Sequence, residues 1–205
     1  MQIRSNQGLN PLRHSQTATL CEGVTLTTHF LDTVSAERWL AALLELPWQQ
    51  ERVRLFGRWL AAPRLTTWFG EPGTAYTYSG VEHRGTGMNG AIVRLRDYVR
   101  DYLRADFNLV LLNRYRDGRD SMGWHADDEA ELGDRPLIAS VTLGATRRFK
   151  LRRNDGSETM TIDLDAGSLL VMAGDCQQQW RHCLPKTARP VGERINLTFR
   201  YVHPR

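Results

Sequence analysis

The chain predicts a mainly β, α+β domain: a double-sheet jelly roll (a double-stranded β-helix) with helices buttressing one sheet. Three observations predict it. Two amphipathic helical segments are confined to the first half, seven short strands follow them, and helix and strand do not alternate as a parallel doubly wound sheet requires. The length of 205 residues, 41% of them apolar and 24% charged, fits one packed domain over 25–205. Residues 1–24 are polar and unpatterned and are expected to form an arm.

Ser35 precedes a helix over 36–46, where Trp39, Leu40, Leu43, Leu44 and Leu46 share most of one face and Pro47 stops the run. From 51 to 79 the pattern turns strand-like and aromatic, punctuated by Gly57, Pro63, Gly70 and Pro72-Gly73. Asn89-Gly90 opens a second helix over 91–105 with the apolar stripe Ile92, Leu95, Val99, Tyr102 and Leu103. Arg96, Arg100 and Arg104 recur on another side of it, as a solvated face would, with a nucleic-acid contact as the lesser reading. Strands are expected over 107–115, 122–127, 137–143, 148–153, 159–164, 168–172 and 194–202, with turns at Asp117-Gly118, Asn154-Asp155-Gly156 and Asp165-Ala166-Gly167.

Composition narrows the function classes. No apolar run is long enough to span a bilayer, so no membrane role is expected. Met1 to Asn6 lead into no apolar segment, so no secretory signal is expected either. Three cysteines (Cys21, Cys176, Cys183) are too few for a disulfide scaffold and suit a reducing cytoplasm. Net charge is only +4, but all of the 27 basic residues except Lys150 and Lys186 are Arg. The guanidinium fork grips phosphates and carboxylates, so the bias favours such partners; a GC-rich genome would produce the same count.

His125 and Asp127, in Gly123-Trp124-His125-Ala126-Asp127, are two apart on an expected strand and so leave one face together. His182 lies 55 residues further on, beyond the 168–172 strand. Two imidazoles and one carboxylate on one side of a metal make a facial triad, which favours non-haem Fe(II) and dioxygen. Taken alone, the His125–Asp127 pair also fits two ordinary polar residues near a turn. A zinc site from Cys176, His182 and Cys183 lacks the usual spacing and a fourth ligand.

In the last strand Arg194, Asn196, Thr198 and Arg200 alternate with Ile195, Leu197 and Phe199. If the apolar set packs on a helix layer, the polar set faces the interior, where two guanidiniums need an acidic partner and a dicarboxylate would satisfy both. If that face is solvated, they need none. Asn113 and Tyr115, also two apart, project an amide and a phenol together, each able to donate to a carboxylate.

Four ordered motifs then resemble a known family. Asn113-Arg114-Tyr115-Arg116-Asp117-Gly118, Trp124-His125-Ala126-Asp127-Asp128-Glu129, the segment 138–145 and the strand 194–200 together resemble the AlkB family of Fe(II)/2-oxoglutarate-dependent nucleic-acid dealkylases, most of all its double-strand DNA repair branch. The likeness runs from about Phe56 to Arg200. It implies that His125, Asp127 and His182 bind Fe(II), and that Asn113, Tyr115, Arg194, Asn196, Thr198 and Arg200 hold 2-oxoglutarate, the two Arg on opposite carboxylates. It implies a nucleotide-recognition lid over about 50–90. Within it, Tyr76 to Gly80 (including Tyr78 and Ser79) resembles the segment that stacks on a damaged base, and Phe56-Gly57-Arg58 the finger that fills the gap left by an extruded one. Asp128 and Glu129 sit where relatives contact substrate.

The implied activity is oxidative removal of alkyl groups from bases of single- or double-stranded DNA, with RNA as a further candidate, using O2 and 2-oxoglutarate and releasing succinate, CO2 and an aldehyde. A monomeric enzyme suits a long polymer. Arg147, Arg148, Arg152 and Arg153 are candidates for phosphate contact, or for a solvated edge. Two other readings stay open: a hydroxylase of the same class acting on protein or a small molecule, and a lesion-binding module without turnover.

Overall fold

The structure, a computed structural model, describes residues 15–55, 57–78 and 81–203. In chain order its strands are β1 (Gln16–Cys21), β2 (Val24–Thr28), β3 (Arg52–Leu55), β4 (Arg58–Ala61), β5 (Leu65–Gly70), β6 (Ala75–Tyr78), β7 (Val81–Arg84), β8 (Leu109–Tyr115), β9 (Met122–His125), β10 (Ile138–Gly144), β11 (Arg147–Arg153), β12 (Thr159–Leu164), β13 (Leu169–Met172), β14 (Trp180–Leu184) and β15 (Arg194–Arg200). The helices are α1 (Thr33–Leu44), α2 (Gly90–Leu103) and the single turn α3 (Cys176–Gln179).

Two antiparallel sheets face each other, as the jelly-roll expectation requires. The major sheet runs β1-β2-β13-β10-β15-β8-β5 and the minor one β12-β11-β14-β9. The hairpins β3–β4 and β6–β7 stand outside both, within the stretch expected to be a lid.

β15 divides the molecule by its period of two. Ile195, Leu197 and Phe199 are fully buried in a cluster with Leu43 of α1 and Ile92, Leu95 and Val99 of α2, so the helices cover the outer face of the major sheet. A second apolar cluster lies between the sheets: Leu109, Leu111, Ile138, Leu170 and Met172 from one side meet Phe149, Leu151, Leu164 and Trp180 from the other. The polar set of β15 enters this inter-sheet space.

Local chemistry sets the helix ends. Asp32 caps α1, its carboxylate accepting from Ser35 N–H at 2.8 Å, so α1 begins upstream of the Ser35 start expected from the sequence. Asn89 caps α2 as expected, its side chain accepting from Ile92 N–H. That helix stops at Arg104, which takes the left-handed conformation (φ 52°) without a glycine. On its polar side Arg96 pairs with Glu71 and Asp97, and Arg100 with Asp97 and Asp101.

The arm expected over 1–24 is corrected in part. Residues 16–21 are β1 and Val24 begins β2, and both strands extend the major sheet through β2–β13 pairing. Their Thr-rich text carries little apolar signal, and the Thr17 and Thr27 hydroxyls meet across the pair at 2.9 Å. Residues 1–14 lie outside the described residues. β14, where the sequence suggested only a segment beyond a strand, is a central strand of the minor sheet. Among the described residues no helix is long and apolar enough to cross a membrane.

Leu197→Ala removes a fully buried side chain between β15 and the helices, and a loss of about 2–5 kcal/mol is expected by urea denaturation. A loss under about 1 kcal/mol would mean that the helices do not pack tightly on this face.

Candidate active site

Strand register builds the candidate metal-ligand set. β14 pairs with β9 so that His182 lies directly opposite His125, and their rings sit 4.2 Å apart between centroids. β9 ends at His125, so Asp127 lies on the following loop and not on the strand expected over 122–127. Two bonds hold it there: its N–H donates to Gln177 Oε1 of α3 at 2.9 Å, and Arg200 Nη2 donates to its carboxylate at 2.8 Å. One ligand atom from each of His125, Asp127 and His182 then falls within 4.8 Å of the others. Nδ1 of His125 meets the Gly123 carbonyl at 2.9 Å, which leaves Nε2 with the lone pair a metal takes. Phe149 stacks on His182 at 5.4 Å and fixes that ring from the minor sheet.

The protonation states suit a cation. Burial pulls His182 down to about 3, helped by the neighbouring His125, and burial likewise lowers His125. Burial alone would raise Asp127, but Arg200 and the two histidines outweigh it and hold the carboxyl at about 2. At neutral pH the set is two neutral imidazoles and one carboxylate.

The second half of the site comes from β8 and β15. Their register sets Tyr115 opposite Arg194, Asn113 opposite Asn196 and Leu111 opposite Thr198. Asn113, Tyr115, Asn196, Thr198 and Arg200 line the same inter-sheet cavity as the three metal-ligand candidates, joined by Leu111, Met122, Ser140, Phe149, Met172 and Leu184. Arg194 lies beneath it, wholly buried, donating from Nη2 to Thr142 Oγ1 at 3.0 Å with its guanidinium 5.3 Å from the Tyr115 ring centre. Asn196 gives its amide N–H groups to Ser140 Oγ and the Val141 carbonyl.

These residues fit a diacid beside a metal. Arg194 keeps Nε and Nη1 buried without a partner, and so does Arg200. Burial draws Arg194 down to about 10, and no carboxylate among the described residues pairs with it. Burial also works against the charge on Arg200, but Asp127, Tyr76 and Glu129 more than offset it and its pKa is raised. Orphaned guanidinium donors beneath the cavity and beside the Asp127 carboxylate call for carboxylate at both places.

The expected substrate residues fare unevenly. Phe56 and Ser79 lie outside the described residues. Gly57 occupies the β3–β4 turn at φ 77°, where a side chain would be strained, and Arg58 beside it is exposed. The backbone of Tyr78 ends β6, paired with Val81. Tyr76 is corrected as an open stacking platform: it is 2% exposed, with the Arg200 guanidinium 6.0 Å from its ring centre and Glu129 close to its hydroxyl. Asp128 is exposed and Glu129 half-buried beside the site. Arg147 is corrected as a phosphate contact, being buried and donating to the carbonyls of Asp117, Asp120 and Pro185. Arg148 faces Asp163, Arg153 lies over Trp180 near Asp155, and Arg152 stacks on the half-exposed Trp124 at 4.6 Å.

Sequence reasoning missed Arg64, buried and bonded to Asn113, and Gln177, the acceptor that holds Asp127. Neither stands in a pattern that could have revealed it.

Known proteins resemble the chain in sequence and in fold. The family described as the 2OG-Fe(II) oxygenase superfamily matches residues 23–200. The alpha-ketoglutarate-dependent dioxygenase alkB homolog 3 of Homo sapiens is 36% identical over 193 residues, covering 88% of this chain and 66% of that protein. The DNA oxidative demethylase ALKBH2 of Mus musculus is 38% identical over 161 residues, covering 75% of this chain and 67% of that protein. The chain thus spans about two thirds of the length of these curated relatives. The solved structure of OsALKBH1 superposes with a TM-score of 0.61 at 15% identity over 91% of this chain and 100% of that one. A 2OG-Fe(II) oxygenase family oxidoreductase from Burkholderia pseudomallei gives 0.60 at 16% identity, over 88% and 85% of the two chains. The chain belongs to the 2OG-Fe(II) oxygenase superfamily and, within it, to the AlkB family. Membership implies Fe(II), 2-oxoglutarate and O2, and the His-Asp-His set is a group that could hold the metal.

The metal-free protein is expected to lose stability in acid. An exposed imidazole titrates near 6.5 and buried His182 near 3, so between these values the unfolded chain binds more protons and stability falls as pH falls. The urea midpoint in chelator should drop from pH 7 to pH 5, and His182→Gln should flatten the drop. An unchanged slope in that variant would show that His182 is not held neutral by burial.

Proposed function

We propose that this protein oxidatively dealkylates N-alkylated bases in DNA, with RNA as a further candidate substrate. The observation that carries the reading is one cavity holding both the His125–Asp127–His182 set and the unsatisfied donors of Arg200, with Arg194 buried beneath it. The names of the relatives, a DNA oxidative demethylase among them, support the substrate class.

When bound, Fe(II), O2 and 2-oxoglutarate supply the oxidation: the cosubstrate becomes succinate and CO2, and the N-alkyl carbon is hydroxylated and leaves as an aldehyde. The chain's own residues bind, orient and exclude water. His125, Asp127 and His182 would hold the iron, and Arg200 keeps Asp127 ionised and aimed. Arg194, Tyr115 and Asn113 would take the far carboxylate of the cosubstrate and Arg200 the near one. Phe149, Met172 and Leu111 make the cavity walls apolar, which strengthens each polar contact inside.

An alkylated base-pairing edge cannot be reached inside a duplex, so the base must be flipped out, at a cost of a few kcal/mol that is lowest for damaged pairs. The hairpins over 50–90 form the nucleotide-recognition lid in this reading. Tyr78 supplies the stack, Phe56 the wedge, and Gly57, Arg58, Ser79, Asp128 and Glu129 flanking contacts. The outer face of the minor sheet adds cations. Arg152 and Arg181 are exposed and directly opposed across β11 and β14, an unfavourable pair unless an anion lies over it. The three cysteines are free, which suits a reducing cytoplasm, and we take the working unit to be a monomer.

Incubation with methylated single- and double-stranded oligonucleotides, Fe(II), ascorbate and 2-oxoglutarate should yield succinate in step with loss of the methyl mass, and His125→Ala should abolish both. Succinate without any change in nucleic acid would move the assignment to a protein or small-molecule hydroxylase. Lesion binding without succinate would leave a binding module. Arg181→Ala should lower the slope of log affinity against log salt on a long oligonucleotide by about 1. An unchanged slope would remove the outer face from the interface.

A further inference from the structure

We propose that Arg64 is a positioning residue for the cosubstrate: it locks the Asn113 side chain so that the amide N–H2, and not the amide oxygen, faces the carboxylate-binding end of the cavity. The inference rests on the reading of that cavity as a 2-oxoglutarate site.

Arg64 sits on the β4–β5 connection, outside both main sheets, yet it is only 5% exposed. Two contacts fix its backbone: Arg64 N–H donates to the Ala62 carbonyl, and the preceding Pro63 carbonyl accepts from Ser121 N–H at 2.8 Å, just before β9. Its side chain reaches Asn113 across 49 positions of sequence, Nε donating to Oδ1 at 2.8 Å in a buried bond. Asn113 itself is 3% exposed and lies in the middle of the β8–β15 register, opposite Asn196 and two residues from Tyr115.

An amide has one accepting end and one donating end, and turning the group over exchanges them. With Nε–H of Arg64 against Oδ1, a flipped Asn113 would set donor against donor in a buried place. Arg64 therefore excludes the flipped state. No group among the described residues accepts from Asn113 Nδ2, so the donor remains available to the cavity. The amide across the register is committed the other way, since Asn196 spends its N–H groups on Ser140 and Val141. Of the two amides, only Asn113 offers hydrogens. Together with the Tyr115 hydroxyl and the orphaned Nε and Nη1 of Arg194, it makes this end of the site a cluster of donors, the complement of a carboxylate and a poor match for an amide oxygen paired with its N–H2.

The fold gives the contact a further consequence. Asn113 belongs to the rigid major sheet, whereas Arg64 belongs to the connection between the β3–β4 hairpin and β5, inside the proposed lid. The lid segment thus carries one of the groups on which cosubstrate affinity depends.

The test is a double-mutant cycle on the Mn(II)-loaded protein, titrated with 2-oxoglutarate by calorimetry, so that the readout is binding and not turnover. Arg64→Met and Asn113→Ala should each weaken binding about tenfold, and the double variant should bind no more weakly than Asn113→Ala alone, because Arg64 acts through Asn113. Arg64→Lys, which keeps a donor, should recover part of the loss, and it serves as the probe if Arg64→Met melts early. In turnover assays the KM for 2-oxoglutarate should rise while kcat at saturation and the KM for oligonucleotide stay near wild type. Arg64→Met within twofold of wild type, losses that add in the double variant, or a rise confined to the oligonucleotide KM would each overturn the assignment. A wild-type protein that does not bind 2-oxoglutarate would instead defeat the functional reading on which the assignment rests.

Discussion

The bond between Arg200 and Asp127 holds the site together. It is a buried ion pair, each side chain 3% exposed, and it ties the last strand of the major sheet to the loop that follows β9 of the minor one. Asp127 lies beyond the end of β9, so no ladder register fixes it. Its aim depends on Arg200 and on the Gln177 amide. A buried pair of this kind gives little net stability, because desolvation consumes most of the attraction. Its value is placement: a carboxylate that stays ionised in a largely apolar cavity, beside two imidazoles that burial keeps neutral.

Arg194 is the counterpart without compensation. Six residues before Arg200 on the same strand face, it is wholly buried, bonds Thr142, and leaves two guanidinium nitrogens unused. One strand thus carries a cation neutralised by Asp127 at one end and an unneutralised cation at the other. The helices make this possible. By covering Ile195, Leu197 and Phe199 on the outer face, they free the inner face of β15 for polar groups.

Much of this was legible because it follows from period and punctuation. Strict alternation in 194–200 told which face would be polar, Asn89-Gly90 marked the start of α2, and the apolar run of β8 carried Asn113 and Tyr115 to its end. Other parts left no local trace. β14 breaks alternation, with His182, Cys183 and Leu184 all buried in succession, so it did not read as a strand. β1 and β2 are Thr-rich and add to a sheet edge, where burial demands little of the sequence. Asp127 converges with the two histidines, but from a loop and not from the strand the spacing suggested. Arg64 was invisible because one Arg among so many gains its meaning only from a partner 49 residues away. Tyr76 looked like a surface aromatic because its place in the inter-sheet apolar cluster, beside Arg200 and Glu129, is one that no spacing announces.

The central claim is that charge buried on β15 selects a diacid beside the metal. Its most direct measurement compares 2-oxoglutarate with 2-oxopentanoate, which has the same chain length and the same 2-oxo acid end but no second carboxylate, by calorimetric titration of the Mn(II)-loaded protein. 2-Oxoglutarate should bind at least about a hundredfold more tightly, the effect of leaving a buried cation unpaired. Equal affinities for the two acids would mean that Arg194 does not read a carboxylate, and would contradict the account.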